Sequence, residues 1–348
     1  MWREFSASRY SAPQRASMRD AIREALQMLT AEQKALVRQI QSIFMPTATR
    51  KRAEAKDAGR KLVHYTSAAN ALNIIRNRRV WMRSIYAMND FREIEHGFDL
   101  LNESLTAKKD ELFAALDECS VGVGKMTVDL FNSHLPAIRR GTYVACMSEH
   151  LPEEDGLGRL SMWRAYGSQI AGTALVINAD PMYIEDDIGL MSNPVQYFSQ
   201  KEAKDEIEEV ISNIILNKSM LKDAGQATVM QGLFACFLNM TICTKHPGFA
   251  EEREWRIMHL PQLWPSKATE RSVEVINGYP QIVYKIIMED NAEIGLTGVT
   301  PDKLIDQVII GPSRFPLLQY DAMVLELESL GMEDLKEKVR ASDIPLRT

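Results

Sequence analysis

The chain is expected to fold as α+β with a mixed or antiparallel split sheet, and three observations lead to the α+β class. Strand-like runs arrive in clusters parted by helical ones, without the regular βαβ alternation of a doubly wound sheet. The chain has 348 residues, 45% hydrophobic and 25% charged, enough apolar material for one large core or two smaller ones. No internal repeat or low-complexity tract interrupts the pattern.

The elements follow in chain order. Within residues 18–44, Ile22, Leu26, Leu29, Leu36, Ile40 and Phe44 recur at helical intervals and make one apolar stripe. The polar, basic stretch TATRKRAEAKDAGRK after Pro46 reads as a linker or a solvated helix. Residues 1–60 are therefore expected to be a helical N-terminal extension, whose stripe seeks a partner or a second copy. Residues 61–348 form the α+β domain, with a helix-rich insertion over 180–245.

At its start, LVHY is a strand, and AANALNIIRN a helix capped by Thr66 or Ser67. VWMRSIY is a second strand, and Asn89 or Asp90 opens the helix that follows. Residues 107–139 read as helical. TYVACMS alternates as a strand, MWRAYGSQIAG is a short helix and turn, and TALVIN is another strand. Residues 203–243 are helical, and EREWRIM, SVEVING, IVYKIIM and QVIIGP are strands.

Several classes drop out. The net charge of -6 gives no reason to expect nucleic acid or a bilayer as partner. No window holds the roughly 18 unbroken apolar residues of a membrane span, and the N-terminus lacks the apolar run of a secretory signal. Cys119, Cys146, Cys236 and Cys243 are scattered without a C-x-x-C pair, which suits buried thiols in a reducing cytoplasm. The dinucleotide-binding, P-loop, zincin and hydrolase-elbow motifs are all missing.

Three constellations remain. In the first, His64 and Tyr65 end a strand where a helix begins. Such a histidine can donate to a ribose hydroxyl and such a tyrosine can offer a flat face to a heterocycle; equally, the two can flank a helix cap. In the second, 246-HPGFAEEREWRIM-258, an extended chain would put Glu252, Glu254 and Arg256 on one face, with Arg253, Trp255 and Ile257 on the other. Crowded carboxylates raise one another's pKa, which suits acid–base or charge-stabilising work; a solvent-facing Glu–Arg pair is the alternative. In the third, Ser148 ends a strand near Trp163, Arg164 and Tyr166, residues that can grip a nucleotide by stacking and phosphate pairing. Trp163 reads as packing. An acidic group of Asp90, Glu93, Glu95 and His96 raises the question of a metal. On a helix, however, Glu93 and His96 point away from Glu95 and Asp90 serves as a cap, so no metal site is assigned.

The order of these motifs is similar to that of the bacterial family catalogued as domain of unknown function 2971: His-Tyr-Thr-Ser, Met-Asn-Asp, Cys-Met-Ser, Met-Trp-x-x-Tyr-Gly, Lys-His-Pro-Gly-Phe-x-x-Glu-x-Glu-Trp-Arg and a late Ile-Ile-Gly-Pro. The resemblance covers residues 61 to about 315. A second likeness concerns the opening strand, with its histidine and the helix behind it, which resembles ADP-ribosyltransferase-like domains. That resemblance implies that His64 holds the ribose of NAD and Tyr65 packs on nicotinamide. It also implies that Glu254 binds a ribose hydroxyl and stabilises the oxocarbenium-like charge as nicotinamide leaves. Ser148, Arg164, Tyr166, Glu252 and Arg256 would complete the nucleotide site. The glycine that often follows the first helix in such domains is absent here, where Asn77 or Arg78 stands.

The expectation is thus a cytoplasmic NAD-consuming transferase or glycohydrolase, a toxin or defence effector whose acceptor the sequence does not name. Its alternatives are a non-catalytic nucleotide- or protein-binding module, and a metal-dependent nuclease built from Asp90, Glu93 and the carboxylates of 251–254.

Overall fold

A computed structural model describes residues 29–87, 91–167, 171–184 and 188–345, with the side chains of 91–94 excepted. Ile22 and Leu26 of the N-terminal stripe, the caps Asn89 and Asp90, and the side chain of Glu93 lie outside the described residues.

Helix α1 (Ala31–Phe44) opens on a reciprocal capping box in which Thr30 and Gln33 satisfy each other's backbone N–H. Its Ile40, Ile43 and Phe44 are buried, and Leu36 packs beside them. The described part of the stripe is therefore covered within the chain. The basic stretch read as a linker or solvated helix is α2 (Pro46–Asp57), started by Pro46 at its first turn, and Ala48 and Ala55 on it are buried.

Strand β1 (Lys61–Ser67) leads into α3 (Ala68–Asn77), where Ser67 is the cap that accepts from the Asn70 N–H. After β2 (Arg79–Ser84) come two long helices, α4 (Phe91–Asp117) and α5 (Val123–Gly141), then β3 (Tyr143–His150). The short helix α6 (Leu160–Tyr166) precedes β4 (Gly172–Ile177). The stretch 180–245 carries β5 (Met191–Pro194), β6 (Gln196–Tyr197), helices α7 (Gln200–Leu216), α8 (Lys218–Ala224) and α9 (Gln226–Ile242), and β7 (Thr244–Lys245). Strands β8 (Glu254–His259), β9 (Thr269–Ile276), β10 (Tyr279–Ile287) and β11 (Ile305–Ile310) follow, then helix α10 (Pro316–Ser329) and the edge strand β12 (Val339–Ala341).

These make a mixed sheet in the order β12-β11-β4-β1-β3-β2-β10-β9, with β8 on β3 and β5 on β8. Among the described residues only β11–β12 is parallel in it; β6 and β7 form a separate parallel pair. The sheet divides at β3. One edge of β3 pairs with β1 through Ser148–His150 and with β2 through Tyr143 and Val144, while Tyr143–Ser148 pair with β8 on the other edge. Between the two short ladders the Cys146 carbonyl has no strand partner on that edge. It accepts instead from Nδ1 of His64, 3.0 Å away.

Each face of the sheet has its own core. Leu62, Met147, Trp255 and Ile257 pack under α3 and α10 with Ile75 and Leu327. The other face is split between the helical core, where Val144 and Met258 meet α1, α4, α5, α7 and α9, and a small cluster of Val63, Tyr65, Val176 and Trp163. The candidate site lies between these last two.

Candidate functional site

Strand alternation decides which predicted residues can meet. Val63 is opposite Ser148, and Ser148 is opposite Glu254, so the three share a face across β1, β3 and β8. Tyr65, two residues on from Val63, keeps that face. His64 does not: its neighbours are Leu62 and Thr66, and Leu62 lies in the core of Trp255. By alternation His64 and Glu254 leave their strands on opposite faces, and both meet Cys146, His64 at its carbonyl and Glu254 at its thiol.

Glu254 begins β8 and is 6% exposed. Its Oε1 accepts from Arg256 Nε at 2.7 Å, and its Oε2 from Lys245 Nζ at 2.7 Å. Arg256 and Lys245 are buried as well, and Arg256 also donates to the Ile242 carbonyl at the end of α9. Burial alone would raise the Glu254 pKa. The Arg256 and Lys245 charges outweigh it, helped by a hydrogen bond from the Cys146 thiol, and hold the carboxyl at about 2. The expectation that neighbouring carboxylates raise this group is corrected: two cations stand closer to it than the second carboxylate's repulsion can offset. Burial, then the Glu254 charge, pushes the Cys146 thiol well up.

Glu252 is placed differently from the extended reading. It ends a 3-10 turn, Pro247–Glu252, and Arg253 in the left-handed region at φ 44° separates it from the strand. Arg253 accordingly leaves the Trp255 face and pairs with Glu154. Glu252 still reaches the cluster, because Lys245 Nζ lies 2.6 Å from its Oε2. Tyr166 donates to its other oxygen at 3.2 Å. Tyr166 is 44% exposed and Phe249, over Lys245, is 37% exposed. Glu252 is thus where the buried ion cluster meets solvent. Burial, then the Glu252 charge, raises the Tyr166 phenol, so it stays protonated as a donor. Arg164 is exposed on the same helix.

Tyr65 is buried edge-on against Trp163, ring centroids 4.8 Å apart, and its hydroxyl accepts from the Arg159 backbone N–H. Its flat face is spent on packing. Ser148 is buried too, accepting from Arg159 and donating to the Glu252 carbonyl. The sequence reading missed Arg159, Glu154 and Lys245, and also Tyr197, whose hydroxyl accepts from the Glu254 backbone N–H at 2.8 Å. Only Lys245 had a signal, its place just before the His-Pro-Gly turn. Among the described residues no group of three or more His, Cys, Asp or Glu side chains is placed to hold a metal ion. Glu95 pairs with Arg139, and His96 meets the Phe198 carbonyl.

Residues 162–257 match the model of a family described as a protein of unknown function, DUF2971. The likeness to DUF2971 is confined to that stretch, 96 of the 348 residues. No curated protein and no solved structure matches the chain. The DUF2971 stretch runs from α6 to β8 and holds Tyr166, Tyr197, Lys245, Glu252, Glu254 and Arg256. The DUF2971 residues close their cluster against Ser148, Arg159 and Cys146, which precede the matched stretch. No helix among the described residues is long and apolar enough to cross a membrane.

Proposed function

We propose that this chain is a nucleotide-binding module rather than a catalyst, with Glu252, Tyr166, Phe249 and Arg164 at its binding edge. The observation that carries this reading is the state of Glu254. A carboxylate buried between Arg256 and Lys245, both buried themselves, is closed off from an oxocarbenium-like centre on a ligand. Glu252, in contrast, is reachable; a carboxylate there accepts from a ribose hydroxyl, and the exposed Tyr166 ring beside it offers a stacking face.

Calorimetric titration with ADP-ribose and with NAD tests the proposal, with free nicotinamide measured in parallel. The expected result is saturable binding without nicotinamide release, weakened roughly tenfold by Tyr166→Ala, as loss of one stacked ring implies. Absence of binding to either compound overturns it.

A second reading, an NAD-consuming ADP-ribosyltransferase-like enzyme of the cytoplasm acting in defence, is favoured by one observation. Glu252 is a partly exposed carboxylate fixed from two sides by Tyr166 and Lys245. On that reading Glu252, not Glu254, is the working carboxylate. Nicotinamide release abolished by Glu252→Gln would establish it and sink the first.

A further inference from the structure

The turn Pro247–Glu252, which carries both Glu252 and Phe249, has no buried residue. Apolar packing therefore does not set its position; its polar attachments do. Lys245 and Tyr166 hold the Glu252 side chain, His246 takes the Gly248 N–H, and Ser148 donates to the Glu252 carbonyl, while one guanidinium reaches the carbonyls of both Glu251 and Glu252 and also holds Ser148. We infer that Arg159 is the positioning residue of the Glu252 edge, an inference that rests on the nucleotide-binding reading for its functional meaning.

Arg159 stands at the start of α6 and is 8% exposed. Its Nη1 donates to the carbonyls of Glu251 at 2.8 Å and Glu252 at 3.2 Å and to Ser148 Oγ at 2.9 Å. Nη2 donates to the Glu149 carbonyl at 2.9 Å and to Glu154 Oε2 at 3.1 Å, and Nε to Glu154 Oε1 at 2.7 Å. Its backbone N–H meets Tyr65. One guanidinium thus ties the end of β3 and the Glu154 loop to the turn, and its main chain ties β1 to them. Glu154 balances its charge and reaches Arg253 on the turn's far side.

Lysine cannot replace it. An ammonium has three donors around one point, whereas the planar fork spreads five over three nitrogens in the directions these acceptors occupy. Arg159 touches no ligand in this scheme. It fixes the carbonyls of the two residues that end the turn, and so the direction in which Glu252 leaves it.

The test uses the full chain. Hydrogen exchange of the unliganded protein is compared for wild type, Arg159→Lys and Arg159→Ala, and ADP-ribose affinity is measured on the same samples. Amides of 247–253 are expected to exchange roughly tenfold faster or more in both variants, with β4 amides unchanged, because charge-assisted bonds to two carbonyls are lost. Millimolar guanidinium, below denaturing levels, is expected to restore protection in Arg159→Ala, whereas methylammonium is not. Unchanged exchange at 247–253 overturns the inference, and so does loss of protection everywhere without guanidinium rescue. Should Arg159→Ala fail to fold, the Arg159→Lys comparison carries the same two outcomes. The exchange arm judges Arg159 alone. The calorimetric arm judges nucleotide binding, so one can fail while the other stands.

Discussion

Replacing Glu254 by glutamine removes the negative charge that the two buried cations Arg256 and Lys245 share. The magnitude can be worked from its titration. A carboxyl that ionises at about 2 instead of its ordinary 4.5 is held in its charged form by 2.5 pH units, about 3 kcal/mol at roughly 1.36 kcal/mol per unit. Leaving Arg256 and Lys245 buried without it costs about 3–5 kcal/mol by analogy with other broken buried pairs. Against a total stability of about 5–15 kcal/mol, either figure is severe. The sign with pH follows. A carboxyl whose folded pKa is depressed contributes fully above about 4.5, and the contribution fades as pH falls toward 2. Urea unfolding followed by tryptophan fluorescence should show Glu254→Gln less stable by about 3 kcal/mol at pH 7. The variant should also show a shallower loss of stability on acidification from 4.5. A loss below about 1 kcal/mol at pH 7 would refute the view that this ion cluster is held together by Glu254.

Two further outcomes follow from the same network and its surroundings. Burial lowers the His64 pKa despite its bond to the Cys146 carbonyl, so below about 6.5 the unfolded chain takes up a proton that the folded one refuses; stability should fall with pH there by at most about 1.4 kcal/mol per unit, less so in His64→Gln, and identical pH profiles would contradict this. Gly158→Ala should cost about 1–3 kcal/mol in urea unfolding, since φ is +70° and the new Cβ would sit 2.7 Å from the Trp163 ring; an unchanged midpoint would mean the ring has room to move.

What could be read in advance was whatever repeats locally. Two-residue alternation in TYVACMS, TALVIN and EREWRIM marked β3, β4 and β8, and correctly put Glu254 and Arg256 on one side. Ser67 as a cap was legible because the cap and its acceptance of the Asn70 N–H are three residues apart. The failures share a cause in distance along the chain. Strands β5 and β12, of four and three residues, take their identity from β8 and β11 and have too few positions to show a period. His64 looked like a partner for Glu254 because both end or begin strands. Whether they share a face depends on Val63, not His64, lying opposite Ser148, and a register shift of one residue reverses that answer. Arg159 joins segments that meet only after folding, and nothing in GLGRLS announces it.

The pairing of β3 with β8 also has a temporal side. Ser148 finds Glu254, 106 positions later in the chain (254 minus 148), after four α-helices and four other strands have been made. Until then the edge of β3 that will receive β8 is an open row of backbone donors and acceptors, and Arg159 has no turn to hold. Closing so long a loop is slow, and a waiting strand edge invites partners from other chains. For this protein, then, the rate of productive folding and the tendency to aggregate should both be set by how soon β8 reaches β3.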